Sequence, residues 1–596
     1  RRARGRAGPH RPTAVQRATY DPWIRGWAGL RRGRKWRFHD GQLHRAATTT
    51  VELSELKAIS SMATLLSSLL HPLALGLTVR GPLRAPAQPT CRSAVPSMVG
   101  TQEERFTPDK NVAQTEDTKR DEVMTFSYDM SKADDKAKPT YKGTGNGLGG
   151  EGLQDEYDVI VIGSGAGGGT LARCLAEAGR EVLVLERGDW LPREPQNWDP
   201  AAVFQQGRYV SSDLWKDKHG KTFQPGSHYF VGGASKMYGA AHFRFRERDF
   251  EEMVHVDGLS PAWPVRYGDF EPYYTKAEAM YHVHGLRGED PTEPPASGPY
   301  PHPPVAHEPR MQQLVDVFSQ AGLHPFHMPV GVNLTENDLP QSACVKCNRC
   351  DGYPCVLTAK GDGEAMGIRP ALAAAGSRMS LLTRSMVKQL KTDASGRRIA
   401  SVLVERDGEL LEFSADLVVI SCGAANSAKL LLMSANDHHP RGLANSSDQV
   451  GRNYMFHYSK AVVAVTHEPN PTVFQKTPAV NDWYFGDANF DFPMGHVQLT
   501  GKTNGAMMKG YKPRLTALAP SWSMDKIAAH SMDFWLQTED LPLAQNRVTV
   551  DGQGQITLNY TATNVRASAE LQHRLESVLD KNYGIHHFAE REIYFG

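Results

Sequence analysis

Residues 157–186 read YDVIVIGSGAGGGTLARCLAEAGREVLVLE, and no other stretch constrains the fold so tightly. Residues 157–162 are a β-branched run too short for a helix, which predicts a buried strand of a parallel sheet. The run ends in Gly163-Ser164-Gly165-Ala166-Gly167-Gly168, a G-x-G-x-x-G in register. From Gly168 the apolar period changes, with Leu171, Cys174, Leu175 and Ala178 on one face of a helix. Gly179 is a natural stop for that helix, residues 181–185 read as a second buried strand, and Glu186 stands at its end.

Each glycine has a physical task. Gly163 allows the tight turn off the strand, Gly165 lets the backbone approach a pyrophosphate, and Gly168 lets the helix pack closely on the sheet. Ser164 and Ala166 fill the turn, and the helix N-terminus offers free N–H groups to an anion. Glu186 follows the first glycine by roughly the twenty residues needed to reach a ribose hydroxyl. Strand, turn, helix, strand and terminal acid agree on a dinucleotide site, and an acid at Glu186 disfavours a 2′-phosphate, so FAD or NAD is favoured over NADP.

A chain of 596 residues has room for two or more domains. Its 67 basic and 66 acidic residues leave a formal net charge of +1, which gives no reason to expect a nucleic-acid partner. No uninterrupted apolar run reaches the length of a membrane span.

Residues 1–152 read as a disordered extension, crowded with arginine up to Arg45 and polar with many Lys, Asp and Gly beyond Thr107. The chain starts at Arg1, and Met62 is a candidate initiator. Residues 62–102 contain no Asp or Glu and are rich in Ser, Ala, Leu, Pro and Arg, a composition that fits a plastid-like organellar transit segment; a secretory signal core at residues 65–79 and a tail of no address are the alternatives, the last leaving the protein cytoplasmic. Residues 189–221 have little regular period and read as a surface crossing. At His228–Ala240 a paired glycine, Gly232-Gly233, followed by small residues lets the chain run against a bulky flat ligand. Tyr273, Tyr274, Ala277 and Tyr281 sit at helical spacing and read as packing, while His282 and His284 read as solvated beside a turn.

The combination of this fingerprint with VGGASKMYGAAHFRFRERDF, WPVRYGDFEPYYTKAEAMYHVHG, ADLVVISCGAANSAKLLLMS and the turn at residues 450–453 resembles the glucose-methanol-choline (GMC) flavoprotein oxidoreductases over about residues 155–596. The resemblance implies an α/β fold, a Rossmann-type FAD-binding domain interrupted by an α+β substrate domain with an antiparallel sheet. On it, residues 153–275 and 372–460 form the two parts of the FAD-binding domain. Residues 276–371 are a substrate-domain and Cys-rich insertion, and residues 461–596 an incomplete substrate domain. Gly163, Gly165 and Gly168 would hold the pyrophosphate and Glu186 the ribose. Val231, Gly232, Gly233 and Ser235 would line the ribityl and flavin region, Val387 the adenine, and Gly423 and Ala424 the return beside the cofactor. Some relatives attach FAD through a histidine two residues after the serine; Met237 stands there, so non-covalent FAD is expected, with His242 structural.

Cys344, Cys347, Cys350 and Cys355 stand in a C-x2-C-x2-C-x4-C run, four of the chain's seven cysteines. Soft thiolates at that spacing suit zinc or iron–sulfur, and some GMC-related dehydrogenases carry a cluster on such a loop. Reduced structural thiols or a local disulfide are the favoured reading, so no metal is assigned. Residues 546–558 alternate about Asp551 and read as a hairpin, resembling the family's substrate-domain strand pair; residues 568–579 read as a helix.

The family's catalytic pair, a histidine with a second histidine or an asparagine, has no matching pattern before Gly596, so no catalytic residue is assigned and the pair is expected beyond Gly596. His586-His587 lacks the family's context. The function implied is FAD-dependent oxidation of a CH–OH group on an alcohol or sugar-like substrate. A base takes the hydroxyl proton and hydride passes to flavin N5, with the electron acceptor left open. The rivals are a non-catalytic flavin-binding protein, a fold member with other flavin chemistry such as fatty-acid photodecarboxylation, and an NAD-dependent dehydrogenase.

Overall fold

The computed structural model describes residues 156–593 apart from 376–377, 512–518 and 586. Residues 1–155, with the segment expected to carry a targeting signal, lie outside the described residues, as does His586. The fingerprint forms strand β1 (Glu156–Ile162), helix α1 (Ala166–Glu177) and strand β2 (Val182–Leu185). The chain then leaves this sheet through α2 (Tyr267–Met280), α3 (Pro309–Gln320) and β3 (Phe326–His327), and returns to it as β4 (Met379–Leu382). An antiparallel ribbon follows, β5 (Ser385–Thr392), β6 (Ile399–Arg406) and β7 (Glu409–Ile420), ending in helix α4 (Ala424–Met433).

The resulting sheet has the order β4-β2-β1-β7-β6-β5. Its first four strands are parallel, in register Met379↔Val182, Val159↔Val182 and Val159↔Leu417. β1 is the only described strand paired with residues 415–420 of β7, where the apolar run keeps an open edge and Leu417 is 55% exposed.

The helix face differs from the one read in the periodicity. Gly168, Gly169, Ala172 and Ala176 are the buried positions of α1, while Leu171, Cys174 and Leu175 are half-buried and Ala178 is the exposed cap. The cause is a double contact: α1 packs on the sheet and also on the π-helical turn Gly363–Ile368, where a Cβ at Gly169 would lie 2.7 Å from the Gly363 carbonyl oxygen. Only small residues permit that approach.

The second sheet is built mainly from later segments: β8 (Tyr458–Val465), β9 (Pro478–Val480), β10 (His496–Leu499), β11 (Ser531–Thr538) and β12 (His587–Ile593), with β3 at one edge. Its order is β12-β8-β11-β10-β9-β3, antiparallel throughout. Val462, Phe534, Leu536, Val497 and Leu499 point to one face, where Met311, Leu314 and Phe318 of α3 and Leu571, Leu575 and Leu579 of α5 (Val565–Tyr583) complete a dry core.

Four readings change here. Residues 189–221 do not simply cross the surface, because Trp198, Ala202, Tyr209 and Trp215 are buried. Tyr273 is 70% exposed, whereas Tyr267 takes the inward place on α2. His284 is buried, its ring stacked on His302 at 4.8 Å and its Nδ1 2.8 Å from the Pro303 carbonyl, which replaces the water expected around it. The hairpin Arg547–Val550/Ile556–Asn559 forms, but in a separate four-stranded sheet with Trp215–Asp217 and Thr222–Phe223.

Candidate cofactor site

The turn at the end of β1 is closed by its own residues. Gly163 has φ +99°, a conformation that favours glycine, and a Cβ at Gly168 would lie 1.9 Å from the Gly163 carbonyl oxygen. Ser164 is fully buried, and both its N–H (3.1 Å) and its hydroxyl (2.6 Å) donate to Glu186 Oε2. The Gly188 N–H donates to Glu186 Oε1 at 2.8 Å. A carboxylate offers about four acceptor positions, so three are used within the chain and one remains for a ligand hydroxyl.

The paired-glycine segment docks on this turn. Gly232 (φ +95°) donates its N–H to Ser164 Oγ at 3.1 Å, and a Cβ at Gly233 (φ +58°) would lie 2.9 Å from Gly165 Cα. The Ser235 hydroxyl donates to the Gly232 carbonyl and accepts from the Gly363 N–H at 2.9 Å. Gly423 (φ +77°) caps α4 beside Cys422, whose Sγ lies 3.4 Å from the Ile162 carbonyl. Thus Gly163, Ser164, Gly165, Ala166, Gly168, Glu186, Gly232, Gly233, Ser235, Gly423 and Ala424 gather around the C-terminal ends of β1, β2 and β7.

Three further expected positions lie outside this gathering of turns. The Val231 side chain is buried in the sheet core with Val159 and Val161, and only its backbone borders the turn. Met237 packs among Val203, Tyr209, Tyr353 and Met507. Val387 lies on the antiparallel ribbon; two residues before it the Ser385 N–H donates to the Glu186 carbonyl at 2.8 Å, which keeps β5 beside Glu186.

These residues fit a dinucleotide. A Cβ at Gly167 would meet nothing within 4 Å, and one at Gly165 only Gly233 Cα at 3.9 Å, so open space lies above the helix N-terminus. The first turn of α1 carries no acidic residue, which leaves its N–H groups and positive dipole end to an external anion.

Sequence reasoning missed the charged support beneath the paired-glycine turn. The buried Lys236 ammonium lies 2.9 Å from Asp362 and 2.8 Å from Glu364, and Arg369 lies 2.6 Å from Glu364. Burial opposes the Lys236 charge, but the two carboxylates outweigh it and hold its pKa above the usual lysine range. Lys360, also buried, donates to the carbonyls of Tyr238 (2.7 Å), Tyr353 (2.8 Å) and Cys350 (3.0 Å), joining the paired-glycine segment to the cysteine loop. The visible signal was Lys360-Gly361-Asp362-Gly363-Glu364, three charged residues spaced by glycines.

Cys344, Cys347 and Cys350 are buried, Cys355 is half-buried, and all four are free thiols. Among the described residues no group of three or more His, Cys, Asp or Glu is arranged to hold a metal ion, and no described helix is long and apolar enough to cross a membrane. His242 is interior, its Nε2 2.7 Å from the Tyr238 hydroxyl, and burial lowers its pKa to about 4.

A strand, glycine turn and helix with an acid at the next strand end, met by a second glycine turn from a distant segment, define a dinucleotide-binding α/β protein of the Rossmann type. Residues 157–459 match the family model "GMC oxidoreductase". The chain belongs to that family, whose members bind FAD. Among its relatives, 6'''-hydroxyparomomycin C oxidase of Streptomyces lividus is 32% identical over 310 residues, 50% of this chain and 53% of the relative. The 2-methyl-1,2-propanediol dehydrogenase of Mycolicibacterium austroafricanum is 28% identical, covering 67% and 74%. The fructose dehydrogenase large subunit of Gluconobacter japonicus is 25% identical, covering 66% and 76%. The match thus spans about half the length of the first of these relatives and about three quarters of the other two.

Proposed function

We propose that the chain is an FAD-dependent oxidoreductase acting on a CH–OH group of an alcohol or sugar-like small molecule, with FAD held non-covalently. The observation that carries the reading is the convergence of three backbone turns, at residues 163–168, 232–235 and 423–424, around open space beside Glu186. When bound, FAD supplies the two-electron acceptor for the hydride leaving the carbinol carbon. The chain's residues bind and orient: N–H groups of Ala166 and Gly167 toward the pyrophosphate, Glu186 toward the ribose, and the 232–235 turn along the flavin. Met237, a thioether packed in an apolar cluster, offers no nucleophile for a covalent link. On this reading residues 153–275 and 372–460 form the cofactor domain and residues 276–371 and 461–596 the substrate domain, whose sheet would lie over the flavin. The relatives' names, an aminoglycoside oxidase, a diol dehydrogenase and a fructose dehydrogenase subunit, all support a hydroxylated substrate. Residues 62–102 are proposed as an organelle-targeting segment.

The test is acid denaturation of the FAD-loaded protein followed by filtration. FAD in the filtrate is the expected result. Flavin retained by the precipitated protein would refute non-covalent binding, and NAD in place of FAD would refute the cofactor.

A further inference from the structure

We infer that the proline-rich segment of residues 285–308 is a pH-released clasp beside the cofactor helix α1, held shut by two stacks of neutral imidazole rings and opened when those rings take up protons.

Seven of its 24 residues are proline, and each lacks a backbone N–H, so no regular ladder can hold such a segment down. Its returning end meets its start through two long backbone bonds, Gly285 N–H to the His302 carbonyl and His302 N–H to the Val283 carbonyl, each 3.3 Å. Side chains supply the closure instead. The His302 ring stacks on His282, with centroids 5.3 Å and planes 6° apart, and on His284 at 4.8 Å and 22°. Five residues further on, His307 stacks on His327 at 4.1 Å and 7°. Between them Tyr300 is buried against Tyr281, Val283 and Met366, with the Arg287 guanidinium 3.6 Å above its ring.

Neutral rings stack at these distances, whereas two imidazolium rings repel, and histidine is the side chain that gains its charge just below neutrality. His302 is shared by two contacts, so its proton meets one on either neighbour. A second proton on His284 finds no acceptor: Nδ1 donates to the Pro303 carbonyl at 2.8 Å, and Nε2 is buried without a hydrogen-bond partner. The charged groups facing the three-ring stack are Arg173 of α1, beside His282, and Glu336, beside His284 and already paired with Lys346. At the second stack Glu289 is bonded to His327 Nδ1 at 2.8 Å, and Lys346 faces His307. Burial and the His302 ring hold His282 and His284 below the ordinary histidine range, and burial and the His327 ring lower His307 to about 4. The neutral rings therefore favour the closed clasp above about pH 6.5, and that preference is lost as pH falls. Each ring that is kept neutral only by closure shifts the balance toward opening by about tenfold over the first pH unit below that value.

The clasp rests on residues that position α1. The Tyr281 hydroxyl lies 2.6 Å from the Thr170 hydroxyl, which donates to the carbonyl of Ala166, the first residue of α1, at 2.6 Å. Arg173 donates to the Met366 carbonyl at 2.8 Å. Tyr281 and Met366 are the residues that Tyr300 covers, and His282, next to Tyr281, is held at φ +53°, a costly conformation for a residue with a Cβ. Opening withdraws Tyr300 from this cluster and lets the backbone at 281–282 relax, which loosens the first turn of α1.

The experiment uses the full chain. Hydrogen exchange read by mass spectrometry, corrected for the intrinsic effect of pH on exchange, compares about pH 7.5 with about pH 5.5. The expected result is exchange in residues 285–308 at least about tenfold faster at the lower pH, with β1 and β11 still protected. FAD affinity by equilibrium dialysis should fall about threefold or more over the same interval. His302→Phe keeps a stacking ring that cannot be charged and should remove both responses, whereas His302→Lys should open the segment at about pH 7.5. Should His302→Phe fail to fold, His307→Phe applies the same test at the second stack and should reduce the response. Segment exchange that ignores pH, an undiminished response in the folded phenylalanine variant, or loss of protection in β1 and β11 together with the segment would overturn the inference. Unchanged FAD affinity while the segment opens would overturn its link to α1. Absence of FAD binding at both pH values would count against the function proposed above, and the exchange result alone would then decide the clasp.

Discussion

Gly165→Ala and Gly168→Ala should have opposite consequences, although both replace a fingerprint glycine by one methyl group. At Gly165 the backbone is extended (φ −64°, ψ −167°) and the added Cβ meets only Gly233 Cα at 3.9 Å. Nothing in the chain resists it, and a compatible Gly→Ala change gains about 0.4–1 kcal/mol by restricting the unfolded chain. At Gly168 the Cβ would lie 1.9 Å from the Gly163 oxygen and 3.0 Å from its carbon, both backbone atoms, so helix and turn must separate. Overpacking of that kind costs ~1–3 kcal/mol or more. Calorimetric melting of cofactor-free protein should therefore place Gly165→Ala at or slightly above the parent and Gly168→Ala below it. FAD affinity by equilibrium dialysis should fall at least about tenfold, ~1.4 kcal/mol, in Gly165→Ala, because the methyl occupies the pyrophosphate's space. Unchanged FAD affinity in Gly165→Ala, or a cofactor-free melt below that of Gly168→Ala, would refute the assignment of open space at one glycine and close packing at the other.

Acid should unfold the protein through its buried histidines. Burial lowers His242, His307 and His496 from an ordinary value of 6.5 to about 4, so their contribution is fully present above about pH 6.5 and is lost as pH falls toward 4. For His496 alone this is roughly 3 kcal/mol; urea melts at about pH 7 and about pH 4.5 should differ by at least that much, and His307→Asn should narrow the gap. Burial, with neighbouring thiols, pushes Cys347 up to about 11 and Cys350 up to about 12, and pushes Cys344 up as well. A thiol reagent at about pH 8 should therefore leave these three unmodified in the native protein and reach them in guanidinium, and rapid native labelling would contradict the buried loop.

The cofactor turn was legible because each requirement is local. A β-branched strand, glycines at fixed offsets and an acid at the next strand end occupy thirty consecutive residues, and the structure brings Ser164, Glu186 and the paired glycines together. The buried face of α1 was not legible, because hydrophobic periodicity favours Leu171 and Leu175 whereas contact with residues 363–368 selects glycine and alanine. Lys236 was passed over for a related reason: its partners, Asp362 and Glu364, lie more than a hundred residues away. The buried polar residues of the second sheet, His496, Gln498 and Asp533, escaped because alternation along β10 and β11 predicts a water-facing side, and only tertiary packing encloses it.

The same long-range contacts explain how the site is held before any ligand arrives. Glu186 fixes Ser164, Ser164 fixes Gly232, Ser235 fixes Gly363, and Lys236 ties its own turn to Asp362 and Glu364. Three segments distant in sequence are thus locked by buried groups that are satisfied within the chain. Such a lattice costs little further ordering on binding, since its entropy is lost on folding. It also concentrates risk. Removing the Lys236 charge leaves Asp362 and Glu364 buried with their shared cation gone, a loss of the kind that exceeds what the pair contributes when intact. Preorganisation of the cofactor site and stability of the fold therefore depend on the same few side chains, and substitutions beneath the turn will not separate them. Glycines such as Gly165, where an added Cβ would meet only Gly233 Cα at 3.9 Å, are where binding can be altered while folding is left alone.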